Sequence, residues 1–187
     1  MSPDIEKAWS ELLAIDNDRA VGVLGGALLD DFLTEAILSD WRIDSDEKTL
    51  KARSNFIRQG GGVLTFGLKI DLAFLLKIIG PHIHSDLQTI KDIRNRFAHR
   101  ALLPDAHQVH GPVTFDSQEI AQRCMNLWFS PKAISVLPDI EVKFKDHPAD
   151  TPKGMFIRSV FILAELFDTY SAKNPRTMAS LSEVMAI

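Results

Sequence analysis

The sequence predicts an all-α protein, a single-domain bundle of about six to seven helices, on three observations. Apolar residues recur at helical spacing in at least four segments, and capping residues stand at several of the expected helix starts. Ile140, Val142 and Phe144 alternate with charged residues as a short strand would. The 187 residues are 45% hydrophobic and 25% charged, enough to bury a core and unlike a disordered chain.

The first helix is expected from Pro3, a good first-turn residue, to about Ile15. A second, capped by Asp16 or Asn17, reaches about Trp41 with Val21, Leu24, Leu28, Phe32, Leu33, Ala36 and Ile37 on its apolar side. Gly22 and Gly26 share one face of it beside Gly25. Each interior glycine costs about 1 kcal/mol relative to alanine, so close approach of a neighbouring helix backbone is expected there. Asp44 with Glu47 reads as a capping box for a third helix to about Arg58, followed by the break Gly60-Gly61-Gly62. That run is not followed by the Gly-Lys-Ser/Thr of a phosphate loop, and no cofactor is expected.

A fourth helix, Thr65 to Ile79, looks buried over much of its circumference, and Gly80-Pro81 ends it. A fifth runs from about Ser85 to Ala101, with Leu87, Ile90, Phe97 and Ala101 along one stripe. Leu102 to Thr114 reads as a loop, and Asp116 with Glu119 as a capping box opening a helix through about Trp128. Pro152 starts a long apolar helix through Phe156 to Tyr170. One domain over residues 1–173 is expected, with a partly mobile tail over 174–187.

The formal net charge of −4 argues against a protein that binds nucleic acid through its overall field. The single cysteine, Cys124, forbids an intrachain disulfide and fits a reducing, cytoplasmic setting. Asp4, Glu6, Lys7 and Glu11 in the first 13 residues do not make a signal peptide, and Lys69, Asp71 and Lys77 break the best membrane-span candidate. No membrane association is expected. No metal is expected either: His107 and His110 have a compatible spacing, but Asp105 is their only acidic neighbour, and His82 and His84 read as surface residues. One of Asp30 and Asp31 is expected to pair with a basic residue across the bundle, from the fifth helix, and the other to be solvated. Asp18 and Arg19 read as helix-start electrostatics, with a polar site as second choice.

The most distinctive segment is Ile90-Lys-Asp-Ile-Arg-Asn-Arg-Phe-Ala-His-Arg100, which gathers Lys91, Arg94, Arg96, His99 and Arg100 near a helix end. Cations there complement the helix dipole, so a structural role stands beside a phosphate- or partner-binding one. At 100° per residue, Asn95 and His99 stack one turn apart while Arg94 lies about 140° from His99. Asn95 is placed to orient the His99 ring. Arg94 and His99 share a site only if the helix loosens, Arg94 reaches around, or a second subunit joins them.

Arg94-Asn95-x-x-x-His99 resembles the Arg-x4-6-His motif of the HEPN family, whose members are α-helical and often dimeric. The resemblance implies a metal-independent endoribonuclease acting on RNA, with His99 on the ribose 2′-hydroxyl or leaving oxygen and Arg94 on phosphate charge. Imidazole titrates near neutrality and guanidinium clamps phosphate oxygens through two hydrogen bonds, so the chemistry is sound. A longer resemblance runs from about Asp18 to Phe167. It comprises Asp18-Arg19 and the helix ending Leu29-Asp30-Asp31-Phe32-Leu33, then Leu64 to Phe74, Asp86-Leu87 leading into Ile90 to His99, Thr114 to Ile120, and Pro152. In these the chain is similar to the mannitol operon repressor family of helical bacterial regulators. Members lack an evident helix-turn-helix, and none is found here. The resemblance therefore implies a homo-oligomeric transcriptional regulator working through a protein partner, without direct sequence-specific DNA contact. Relatives vary at the Arg and His positions, so this resemblance alone does not imply catalysis.

Overall fold

The computed structural model describes residues 3–42, 46–59, 64–99, 113–129, 144, 147–148 and 150–172. Seven helices stand among them: α1 (Pro3–Leu13), α2 (Asp18–Arg42), α3 (Glu47–Gln59), α4 (Phe66–Leu75), α5 (Pro81–His99), α6 (Gln118–Met125) and α7 (Pro152–Ala172). No strand occurs among the described residues, so the all-α expectation holds. Ile140 and Val142 of the expected strand, the 102–112 loop and the 174–187 tail lie outside them.

Several boundaries differ from the sequence reading, each for a local reason. Asn17 caps α2, its Oδ1 accepting the Ala20 N–H at 3.0 Å. Asp46 caps α3, accepting the Thr49 N–H at 2.8 Å; Asp44 lies outside the described residues. Helix α4 stops at Leu75, short of Ile79, because Lys77 turns left-handed at φ 59°. The Lys77 and Ile78 N–H groups then return to the Phe74 and Ala73 carbonyls, a Schellman closure with lysine where glycine is usual. Pro81, expected to end α4, instead opens α5. Helix α6 begins at Gln118 after Ser117, rather than from an Asp116 cap, and ends at Met125.

The chain divides into two compact units, with divisions falling within α2, α5 and α7. In the unit containing Pro3–Ala27 and Thr89–Ile162, the core is aromatic. Phe97 packs on Phe115 with ring centroids 4.9 Å apart, and Phe115 on Phe156 at 5.1 Å. Trp9 meets Phe161 edge-on at 4.9 Å. The α2 glycines make this packing possible through side chains, not through the backbone approach expected. A methyl group on Gly22 would meet the Phe97 ring, 2.7 Å from Cε2, and one on Gly26 would lie 2.8 Å from Arg94 Cβ. Asp18 joins three segments by pairing with Lys153 at 3.1 Å and accepting the Phe115 N–H at 3.0 Å.

The unit containing Leu28–Gln88 and the chain from Leu163 is built on Leu29, Leu33, Ala36 and Ile37 of α2, all fully buried. Leu28, taken as a core residue from sequence, is half-buried, and Leu24 on the neighbouring turns is exposed. Asp30 pairs with Lys69 of α4 at 2.6 Å, not with α5, and Glu35 pairs with Arg58 of α3. Asp31 is the exposed one of the two aspartates. No helix among the described residues is long and apolar enough to cross a membrane.

Candidate functional site

Helix α5 remains helical through His99, so the loosening that would bring Arg94 and His99 together is not present. Ile90, Ile93 and Phe97 define its buried side. His99 lies about 180° from Ile90 and is exposed, whereas Arg94 lies at the edge of the buried side and is half-buried. The Arg94 stem packs on Gly26, and its Nη1 donates to Asn95 Oδ1 at 3.1 Å. Asn95 Oδ1 is therefore engaged by Arg94.

Two other cations of this segment are paired. Arg96 meets Glu119 of α6, and Lys91 meets Asp92 at 3.4 Å. Arg123 of α6 reaches Asp92 at 3.2 Å and Glu119 at 3.5 Å, completing a ladder of alternating charge between α5 and α6. Partly exposed pairs of this kind contribute about 0–1 kcal/mol each. Lys91 and Arg96, which the sequence offers as phosphate or partner contacts, thus lie within this ladder, in which three cations share the carboxylates of Asp92 and Glu119. Arg100, the remaining candidate, lies outside the described residues. So do His107 and His110, and no group of three His, Cys, Asp or Glu suited to a metal occurs among the described residues.

Two surface features went unseen in the sequence. A shallow groove of about 550 Å³ lies between the start of α2 and the end of α5, lined by Asn17, Arg19, Ala20, Val23, Leu24 and Ala98. Its floor is aliphatic, Leu24 is 47% exposed, and Ala98 immediately precedes His99. The periodic stripe of α2 hid this, because Leu24 reads as core by spacing alone.

The second feature is α4. Phe66, Ile70 and Ala73 bury one side of it. Leu68 and Leu75 lie on the opposite side, with half-buried Leu72 and the cap residue Leu76 flanking them at positions i+4 and i+8 from Leu68. Leu75 is 77% exposed and Leu68 50% exposed. The apolar circumference was legible, but burial was the wrong inference from it for the outward side. Phe74, also partly exposed, packs against His84 with ring centroids 4.7 Å apart, and His84 in turn pairs with Asp71 at 3.0 Å.

No protein-family model matches the chain, and no curated protein matches it. The structure is similar to a chain in the X-ray structure of the MtlR–HPr complex from Escherichia coli, with a TM-score of 0.62. The alignment covers 88% of this chain and 98% of that one at 14% sequence identity. At that identity the likeness establishes a shared helical fold.

Proposed function

We propose that the protein is a regulatory module that acts by contacting another protein, without a helix-turn-helix and without direct reading of DNA sequence. The observation that carries this is the outward leucine face of α4. A helix apolar on both sides is ordinarily covered on both, and an exposed apolar patch free of charge at its centre is the composition of an interface core. Burial of apolar surface contributes about 25 cal/mol per Å², and Leu75 and Leu68, 77% and 50% exposed, supply most of the surface that a partner would cover. The fold supports the reading, because the similar chain comes from a protein–protein complex. Transcriptional regulation in the cytoplasm, as a homo-oligomer, extends the same proposal from the resemblance to the mannitol operon repressor family.

The test compares wild type with a Leu68→Glu/Leu75→Glu variant as bait for proteins from cells of the source organism. A partner retained near stoichiometrically by wild type and lost by a variant with unchanged melting is the expected result. Identical retention by both overturns the assignment to α4.

A second reading is a metal-independent endoribonuclease using Arg94 and His99 with Asn95. One observation favours it: His99 is exposed at the end of α5, with no ion pair among the described residues. The separation of Arg94 from His99 around the helix means that this reading needs two chains to complete one site. It requires RNA cleavage in EDTA that leaves a 2′,3′-cyclic phosphate and disappears in His99→Ala.

A further inference from the structure

We propose that the groove lined by Arg19, Ala20, Val23, Leu24 and Ala98 binds a short acidic and aliphatic segment of a protein partner. An aliphatic side chain would lie on the floor and a carboxylate on Arg19. The inference rests on the partner-binding reading above but concerns a different surface from α4.

The groove combines three properties. It is shallow, with a volume of about 550 Å³. Its floor is aliphatic and includes a leucine half-open to solvent. Its polar lining residues are Asn17 and Arg19. Arg19 is exposed and has no ion pair among the described residues. The aspartate beside it does not neutralise it, because Asp18 is committed to Lys153 and to the Phe115 N–H. Lys153 also donates to the Asp16 carbonyl at 3.2 Å, which holds the start of α2 and the groove edge in place. An exposed arginine over an aliphatic floor complements a carboxylate next to a branched apolar side chain, since guanidinium grips carboxylate through two parallel hydrogen bonds.

The lining favours a peptide over single-stranded RNA. Strand-binding grooves stack bases on aromatic side chains and track phosphates with several cations. Among the described residues that line it there is no aromatic side chain and one arginine.

The test uses the full chain, isotopically labelled, with three probes observed by amide NMR. The probes are a synthetic peptide alternating leucine and glutamate, its leucine–lysine counterpart, and decauridylate. The expected result is that the acidic peptide shifts the Ala20, Val23, Leu24 and Ala98 amides. The lysine peptide should bind at least about tenfold more weakly, and Arg19→Glu should reverse that order. Leu24→Asp, at an exposed position, should abolish the shifts without lowering the melting temperature. Shifts confined to α4, equal binding of both peptides, or no binding by any probe overturn the proposal. Preferential decauridylate binding lost in Arg19→Glu would assign the groove to nucleic acid and overturn it equally. Self-association lost in Leu24→Asp would assign it to a second copy of the chain. Leu68→Glu/Leu75→Glu should leave these amide shifts unchanged, so that failure of the groove and failure of the α4 reading are distinguishable.

Discussion

Replacing Gly22 with alanine tests the packing that places the Arg94–His99 segment against α2. In an open helix this change stabilises by about 1 kcal/mol, because alanine is the better helix former. Here the new methyl group would press on Phe97, whose ring is 1% exposed and lies against Phe115, itself against Phe156. Overpacking of this kind costs about 1–3 kcal/mol, and since the ring is boxed in we expect the upper part of that range. After the propensity gain, the net loss is about 1–2 kcal/mol. With a urea m-value of about 1–3 kcal/mol/M, the unfolding midpoint should fall by roughly 0.3–2 M. In a Phe97→Leu background the same glycine change should cost less, with a coupling of about 0.5–3 kcal/mol. A Gly22→Ala variant that is neutral or more stable, with no coupling to Phe97, would refute this arrangement of α2 and α5.

Other substitutions test separate parts of the account. Lys77→Gly should stabilise by about 0.5–1 kcal/mol by relieving a left-handed lysine, and a loss in thermal unfolding would contradict the α4 closure. The pKa of Asp31 is raised by desolvation and by the adjacent Asp30 carboxylate. Its protonated form therefore favours the fold, a contribution fully present below the ordinary aspartate value of 3.8 and lost as pH rises through the higher folded value. Asp31→Asn should accordingly raise Tm at neutral pH and change it little in acid, and a lowered neutral Tm would reverse the sign. Burial pushes the Cys124 thiol up to about 12, so Ellman's reagent should modify it slowly in the native protein and rapidly after unfolding; fast native labelling would contradict its burial. His99→Ala should leave Tm nearly unchanged, since the side chain is exposed.

The helical architecture was legible because period and punctuation agreed over long stretches. Val21, Leu33, Ala36 and Ile37 lie where their spacing puts them, and Pro152 opens α7 as expected. What failed was local. The Schellman closure after α4 was invisible because its left-handed residue is Lys77 rather than glycine. Asp30 found Lys69 on α4, since sequence separation says nothing of which helix lies opposite. The α2 glycines were correctly read as sites of close approach, but Phe97 and Arg94 side chains fill them. The Arg94–His99 segment was singled out by its residues, whereas its pairings depend on α6, which contributes Glu119 and Arg123. The outward leucines of α4 carry the same spacing as buried ones, so only the fold distinguishes them.

The central claim, that α4 presents its leucine face to another protein, is tested most directly by site-specific photocrosslinking in cells of the source organism. A benzophenone amino acid in place of Leu75 is compared with the same group in place of Lys48, exposed on α3. One discrete adduct with a different protein is expected from position 75 and none from position 48. Adducts equal at both positions, or no adduct from position 75 alongside His99-dependent RNA cleavage by the purified protein, would contradict it.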